Sequence, residues 1–267
     1  MKIIGEKING AIPKVAEAIE KRDSAFIANL AAQQEAAGAE YIDICAGTNP
    51  DEEYDALCWL IDVVQKNAQC PICIDSPDPK MLKKVFQKIS LPGLINSISL
   101  EGSKCEILLP VLRENPEWGV VALCCDDSGI ASSAEDKIRI ALRLIEMAGE
   151  YGITPDRIHI DPLVLALPTV NSSAMDFCRA AGEIKRQYPD VNITAALSNI
   201  SFGMPARGLV NRTFLAMAML AGLDSVISDP LNRSVIETIF AANALLGRDR
   251  LCRNYNKAFR AGKIGAL

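Results

Sequence analysis

The stretch "AALSNISFGMPARG", residues 195–208, begins as an apolar run of strand length, breaks into Ser198, Asn199 and Ser201, and passes through a Gly203-x-Pro205 turn into a long apolar helical pattern. An amide placed where a strand gives way to a loop is either a turn former or a group aimed at a ligand. The same order of apolar run, polar break and amphipathic segment recurs along the chain. Strands are predicted at 2–5, 41–45, 72–74, 94–97, 120–124, 158–160, 193–197 and 225–227. Helical patterns lie at 24–37, 53–67, 79–88, 104–113, 134–151, 174–187, 209–221 and 234–246. No linker rich in Gly, Ser or Pro interrupts them, so residues 1–267 read as one α/β domain. Short strands that are apolar on both faces, each followed by a helix, are what a closed (β/α)8 TIM barrel requires. An open doubly wound sheet is the alternative, and neither GxGxxG nor GxxxxGK[ST] follows any of the strands.

The residues that close the apolar runs, or follow them directly, are Glu6 with Asn9, Asp43, Asp75, Asn96, Asp126 with Asp127, Asp161, Asn199 and Asp229. Taken singly, each is a good cap or turn residue. In a barrel these positions converge on the C-terminal mouth. A rim lined by acids and amides, without a cluster of metal ligands, suits a neutral heterocycle rich in hydrogen-bond donors.

Bulk properties narrow the classes. Hydrophobic residues at 49% and charged residues at 23% support a sizeable core, and no window is long and uncharged enough to span a bilayer. The opening "MKIIGEKING" lacks the apolar region of a secretory signal, so a cytoplasmic protein is expected. A net charge of −5 and a pI near 5.1 argue against nucleic acid and for a small molecule or a protein as partner. Nine cysteines, with Cys45, Cys124 and Cys125 inside apolar runs, read as reduced core thiols. Cys70-Pro-Ile-Cys73 has CxxC spacing, but no second pair accompanies it and His159 is the only histidine, so no bound metal is expected.

Seven motifs stand in order at the strand ends: "GEKING" (5–10), "AGAEYIDICAGT" (37–48), "CIDSPDP" (73–79), "INSIS" (95–99), "DSGI" (127–130), "IDPL" (160–163), and "LSNISFG" with "NRTFLAMAM" (197–219). Together they resemble the pterin-binding barrels, and within them the methyltetrahydrofolate:corrinoid methyltransferases, including the folate module of cobalamin-dependent methionine synthase. The resemblance covers nearly the whole chain. It implies methyl transfer between N5 of tetrahydrofolate and the cobalt of a corrinoid (cobalamin) carried by a partner protein. Tetrahydrofolate or 5-methyltetrahydrofolate is then the substrate, and no metal is bound by this chain. It places Asp75, Asn96, Asp161, Ser198 and Asn199 against the pterin. Asp161 is expected on the N3–H and 2-amino pair, Asp75 and Asn96 on the N1/N8 side, and Asn199 near N5 as the catalytic group. Glu6, Asn9, Asp43, Asp126 and Phe202 are expected behind these contacts.

The chain departs from the family at three places. After Asn96 it reads "SISLEGSK", closer to the methionine synthase module than to the acetogen enzymes; Phe202 stands where those enzymes carry Gln; Asp126 stands where a related Asn is expected. Dihydropteroate synthase shares the barrel and is an alternative, but its Asn-x-Thr-Pro-Asp-Ser loop after the first strand and its late basic residues are not found here. A non-catalytic barrel that only binds folate or the corrinoid protein is another, and such a barrel needs no group near N5. The helix "LVNRTFLAMAMLAGL" (209–223), apolar nearly all round after Arg212, either packs wholly against the barrel or forms a homodimer interface. The basic segment "GRDRLCRNYNKAFRAGK" (247–263) reads as a solvated terminal helix or as a contact for an acidic partner.

Overall fold

Isoleucine, valine and leucine fill the central strands, whose β-branched side chains suit a pleated sheet covered on both faces. The computed structural model describes residues 1–265, which form a (β/α)8 barrel. Its strands are β1 Lys2–Asn9, β2 Tyr41–Cys45, β3 Ile72–Asp75, β4 Leu94–Leu100, β5 Gly119–Asp126, β6 Gly129–Ile130, β7 Ile158–Asp161, β8 Asn192–Ile193 and β9 Ser225–Ser228. The sheet order is β8-β7-β5-β4-β3-β2-β1-β9 with every neighbour parallel, while the two-residue β6 folds back antiparallel on β5. A parallel bridge between Ala196 and Ile227 closes the ring, supported by Asp224 N donating to Ile193 O and Ile227 N to Ala195 O, each at 2.9 Å.

The helices are α1 Pro13–Glu20, α2 Ser24–Ala36, α3 Pro50–Asn67, α4 Pro79–Val85, α5 Lys104–Glu114, α6 Ala134–Glu150, α7 Ser173–Gln187, α8 Arg207–Ala221, α9 Arg233–Leu245 and α10 Arg253–Arg260. Their starts are chemically marked. Proline opens α1, α3 and α4, where its missing N–H has no intrahelical partner to lose. Asp23, Asp78 and Ser133 accept backbone N–H bonds as caps of α2, α4 and α6. The main core lies between strands and helices; Phe177 of α7 and Phe214 of α8 meet edge to face there at 5.3 Å. Truncating a buried aromatic of this kind costs about 3–5 kcal/mol. A second, small core of Ile4, Cys73, Leu94 and Ile227 fills the floor of the barrel.

Two sequence expectations change in detail. The strand expected at 193–197 is regular only at Asn192–Ile193, because its backbone serves two neighbours in turn. Its first half bonds to β7, ending with Thr194 N to Ile160 O at 2.8 Å, and its second half bonds to β9 before the chain winds into a short 3-10 helix, Leu197–Ser201. The helix expected to be apolar all round buries Phe214, Leu215, Ala218 and Met219 and leaves Leu209, Met217 and Leu220 exposed. All nine cysteines are free thiols. The terminal helix α10 is largely solvated, and both carboxylate oxygens of Asp249 accept backbone N–H bonds from its first turn.

Candidate active site

Side chains alternate across a strand, so one inward contact places every second residue of that strand in the barrel. His159 Nδ1 lies 3.0 Å from Ser225 Oγ across the interior, which puts Asp161 inward one step higher on β7. The Cys73 thiol faces Asp43, which puts Asp75 inward at the end of β3. In register, Cys45 pairs with Asp75 and Asp75 with Asn96, and Asn96 Nδ2 donates to Asp43 Oδ1 at 3.3 Å. Asp43, Asp75 and Asn96 thus form one cluster on three adjacent strands, and Asp161 faces the same mouth from β7.

Burial sets the charges of this cluster. Asp43 is fully enclosed, and burial together with the nearby Asp75 charge raises its affinity for a proton. Asp75 is raised too, chiefly by burial, with the Cys45 thiol working in the opposite direction. Two carboxyls this close do not both ionise readily, so the deeper Asp43 holds the proton and Asp75 presents the charge. Asp161 is pushed up to about 6 by burial, opposed by the N–H of Leu163, the charge of Lys137 and the N–H of Ala196. Glu6 is pushed up to about 7 by burial and then by Asp229. His159 is driven down to about 4 by burial and stays neutral beneath the site.

The remaining predicted residues are placed differently. Asn9 Oδ1 accepts from Ala11 N at 2.8 Å and shapes the turn after β1. Asp126 accepts from Ser128 N at 2.9 Å, takes the Ser128 hydroxyl as well, and lies 3.5 Å from Arg139, so its carboxylate serves the β5–β6 turn. Phe202 is 70% exposed, with the Arg207 guanidinium 5.9 Å from its ring centre. Ser198 gives its carbonyl to Arg207 Nη2 at 2.8 Å, while Arg207 Nε donates to Ser201 Oγ at 3.1 Å. Asn199 is exposed on the 3-10 helix, and among the described residues its side-chain amide makes no hydrogen bond. A turn former would bond its own backbone.

Sequence reading missed several supporting groups. Glu53, in the first turn of α3, is buried and accepts from Ser76 Oγ at 2.7 Å, tying down the loop after β3. Lys7 pairs with Asp229 at 3.0 Å beside Glu6. The motif glycines matter by close approach: a Cβ on Gly10 would sit 1.9 Å from Ala46 O, so the ends of β1 and β2 interlock only without a side chain there. Among the described residues no group of three or more His, Cys, Asp or Glu is arranged to hold a metal ion. No helix among them is long and apolar enough to cross a membrane.

The family described as "Pterin binding enzyme" matches residues 6–229, which include the whole acid and amide set from Glu6 to Asp229. The chain belongs to the pterin-binding enzymes. A methylcorrinoid:tetrahydrofolate methyltransferase of Eubacterium limosum is 51% identical over 268 residues, covering 100% of this chain and 99% of that protein. A methionine synthase of Mycobacterium tuberculosis is 30% identical over 249 residues, covering 86% of this chain and 21% of that protein. Among solved structures, dihydropteroate synthase from Xanthomonas albilineans in complex with 7,8-dihydropteroate aligns at TM-score 0.66 with 15% identity, covering 92% of each chain. Dihydropteroate synthase from Yersinia pestis aligns at TM-score 0.68, also with 15% identity, covering 92% of this chain and 94% of that one. At such identity these likenesses concern the barrel alone.

Proposed function

We infer that this protein is a methyltransferase that moves a methyl group between a protein-bound corrinoid and N5 of tetrahydrofolate, with the methylcorrinoid as donor. The observation that carries this reading is the 51% identity, end to end, with a methylcorrinoid:tetrahydrofolate methyltransferase. The site chemistry agrees with it. The ring edge that bears N3–H and the 2-amino group offers two parallel donors, which an ionised Asp161 accepts in bidentate fashion. Asp75 and Asn96 receive the N1/N8 side. N5 takes the methyl group from the partner-borne corrinoid, whose Co–CH3 bond breaks with its electron pair left on cobalt as Co(I); the N5 ammonium so formed then gives its proton to water and becomes a tertiary amine. The unpaired amide of Asn199, through its carbonyl oxygen, accepts from N5–H while that charge develops. Glu6, Asp43 and Arg207 hold the surroundings of these groups.

The whole chain, 1–267, acts as one pterin-binding methyltransferase domain in the cytoplasm and has no nucleic-acid partner. Leu209, Met217 and Leu220 on α8, with Met175 on α7, form an exposed apolar face that we assign to a homodimer. The function is tested by incubating the purified protein with tetrahydrofolate and methylcobalamin, and separately with methyltetrahydrofolate and cob(I)alamin, while following the cobalt spectrum. Folate-dependent conversion of the cobalt species is the expected result. Tight folate binding with no conversion in either direction would make the protein a folate carrier instead.

A further inference from the structure

Lys137 on α6 is fully buried, yet it makes no ion pair within 4.0 Å among the described residues. Its Nζ donates to three backbone carbonyls, those of Ala131, Pro162 and Leu163, each at 2.7 Å. Three donors meet three acceptors, so the ammonium is fully satisfied. The acceptors come from two loops, the one leaving the β5–β6 hairpin and the one that follows Asp161. Leu163 lies in the left-handed region at φ 55°, which a side chain other than glycine adopts only under constraint. The N–H of this same residue donates to Asp161 Oδ1 at 2.7 Å. One peptide unit therefore links the lysine to the carboxylate: Lys137 grips its turn from one side and Leu163 N–H grips Asp161 from the other. Core packing alone would be met at lower cost by an apolar side chain of the same length, since a buried ammonium must be desolvated.

We propose that Lys137 is a positioning residue of the folate site, fixing the Pro162–Leu163 turn that orients Asp161 and supplying the positive charge against which that carboxylate is buried. The inference rests on the reading of Asp161 as the acceptor of the pterin donor pair. Around Asp161, β5 contributes the Cys124 thiol, α6 contributes Lys137, and the segment after β8 contributes the Ala196 N–H, while Asp176 of α7 acts on Lys137. Lys137 is thus the positive charge in this set, and removing it favours protonation of Asp161.

The test is calorimetric titration of tetrahydrofolate into wild-type, Lys137→Met and Lys137→Gln proteins between pH 5 and pH 8.5, with thermal unfolding as the control. In the wild type the affinity falls as pH drops through the titration of Asp161. In Lys137→Met the affinity at pH 7 is expected to fall by about tenfold or more, the cost of misplacing a charged hydrogen-bond partner. The pH midpoint is expected to move upward by about one unit, as loss of a nearby opposite charge dictates. Lys137→Gln keeps two donors for the carbonyls but not the charge, so it shows the same upward midpoint and carries the test if the methionine variant does not fold. Equal midpoints in wild type and variants, whatever the change in thermal stability, would reduce Lys137 to a structural residue and overturn the inference. Absence of tetrahydrofolate binding by the wild type would instead refute the folate reading, and the inference with it.

Discussion

Asn96 reaches over β3 to place its Nδ2 3.3 Å from Asp43 Oδ1, so an amide of β4 and an acid of β2 share one hydrogen bond beside Asp75. This bond ties the Asn96 amide to its neighbouring strand and gives the enclosed Asp43 a donor. Asn96→Ala removes both the proposed ring contact and that donor. Tetrahydrofolate affinity is expected to weaken by about 1–3 kcal/mol, the cost of an unsatisfied buried polar group. Calorimetry on a folded variant checks it, and unchanged affinity would remove Asn96 from the binding set.

Asp161 is expected to matter more, because its proposed contact meets two donors at once. Asp161→Ala should weaken pterin affinity by about 2–4 kcal/mol, within the range for leaving a hydrogen-bonded charge partner unpaired. A variant that binds tetrahydrofolate as the wild type does would move the donor-pair contact to another acid.

The same carboxyl gives a stability prediction of opposite sign. Its folded-state pKa is raised from the ordinary value of 3.8 to about 6, so the ligand-free fold binds this proton more tightly than the unfolded chain does. The resulting stabilisation is complete below about pH 4 and is lost as pH rises through about 6. Asp161→Asn, which keeps an oxygen for the Leu163 N–H and never ionises, should therefore be more stable than wild type above pH 6, by up to about 3 kcal/mol, since each pKa unit corresponds to about 1.4 kcal/mol. Urea unfolding at pH 4 and pH 8 measures the difference. A gap that does not widen with pH would show that the fold does not raise the pKa of Asp161 above its unfolded value.

Asn199→Ala tests the chemical step. Removal of one group that bonds only as charge develops commonly slows reaction by about 10²-fold or more. Single-turnover methyl transfer at saturating folate should show this loss, with folate affinity changed far less. A well-folded variant that transfers methyl at the wild-type rate would leave Asn199 without a catalytic role.

The exposed face of α8 predicts association. Leu220, at 73% exposure, is the side chain to change. Wild-type protein should sediment as a dimer and Leu220→Glu as a monomer; a wild-type monomer at all concentrations would leave the face without a partner copy.

The barrel was legible because each strand is an apolar run and each break carries an acid or amide, so the order of runs gave the order of strands. Asp43, Asp75, Asn96 and Asp161 could be singled out because strand ends converge in this fold. What escaped depends on contacts distant in sequence. Lys137 sits in an ordinary amphipathic helix and is distinguished only by carbonyls 6, 25 and 26 residues away that converge on it. Helix α1 has only eight residues and begins at a proline that reads equally well as a turn. Asp126 looked like its neighbours in the list of strand ends, but the Gly129 turn folds the chain back and gives its carboxylate to Ser128.

The divided allegiance of β8 has a dynamic consequence. A strand that bonds β7 along one half and β9 along the other has few consecutive ladder bonds to either, so this seam is where the barrel opens at least cost. Its backbone amides, from Thr194 to Ile227 across the closure, should exchange with deuterated solvent ahead of those in the β2–β3–β4 wall. Asn199 is carried on the yielding side, Asp43, Asp75 and Asn96 stand on the unyielding one, and Asp161 on β7 borders the seam. In the proposed reaction, the N1/N8 side of the pterin then meets a fixed wall while Asn199 keeps the local freedom to follow a nitrogen that changes its charge and its substituents within one turnover.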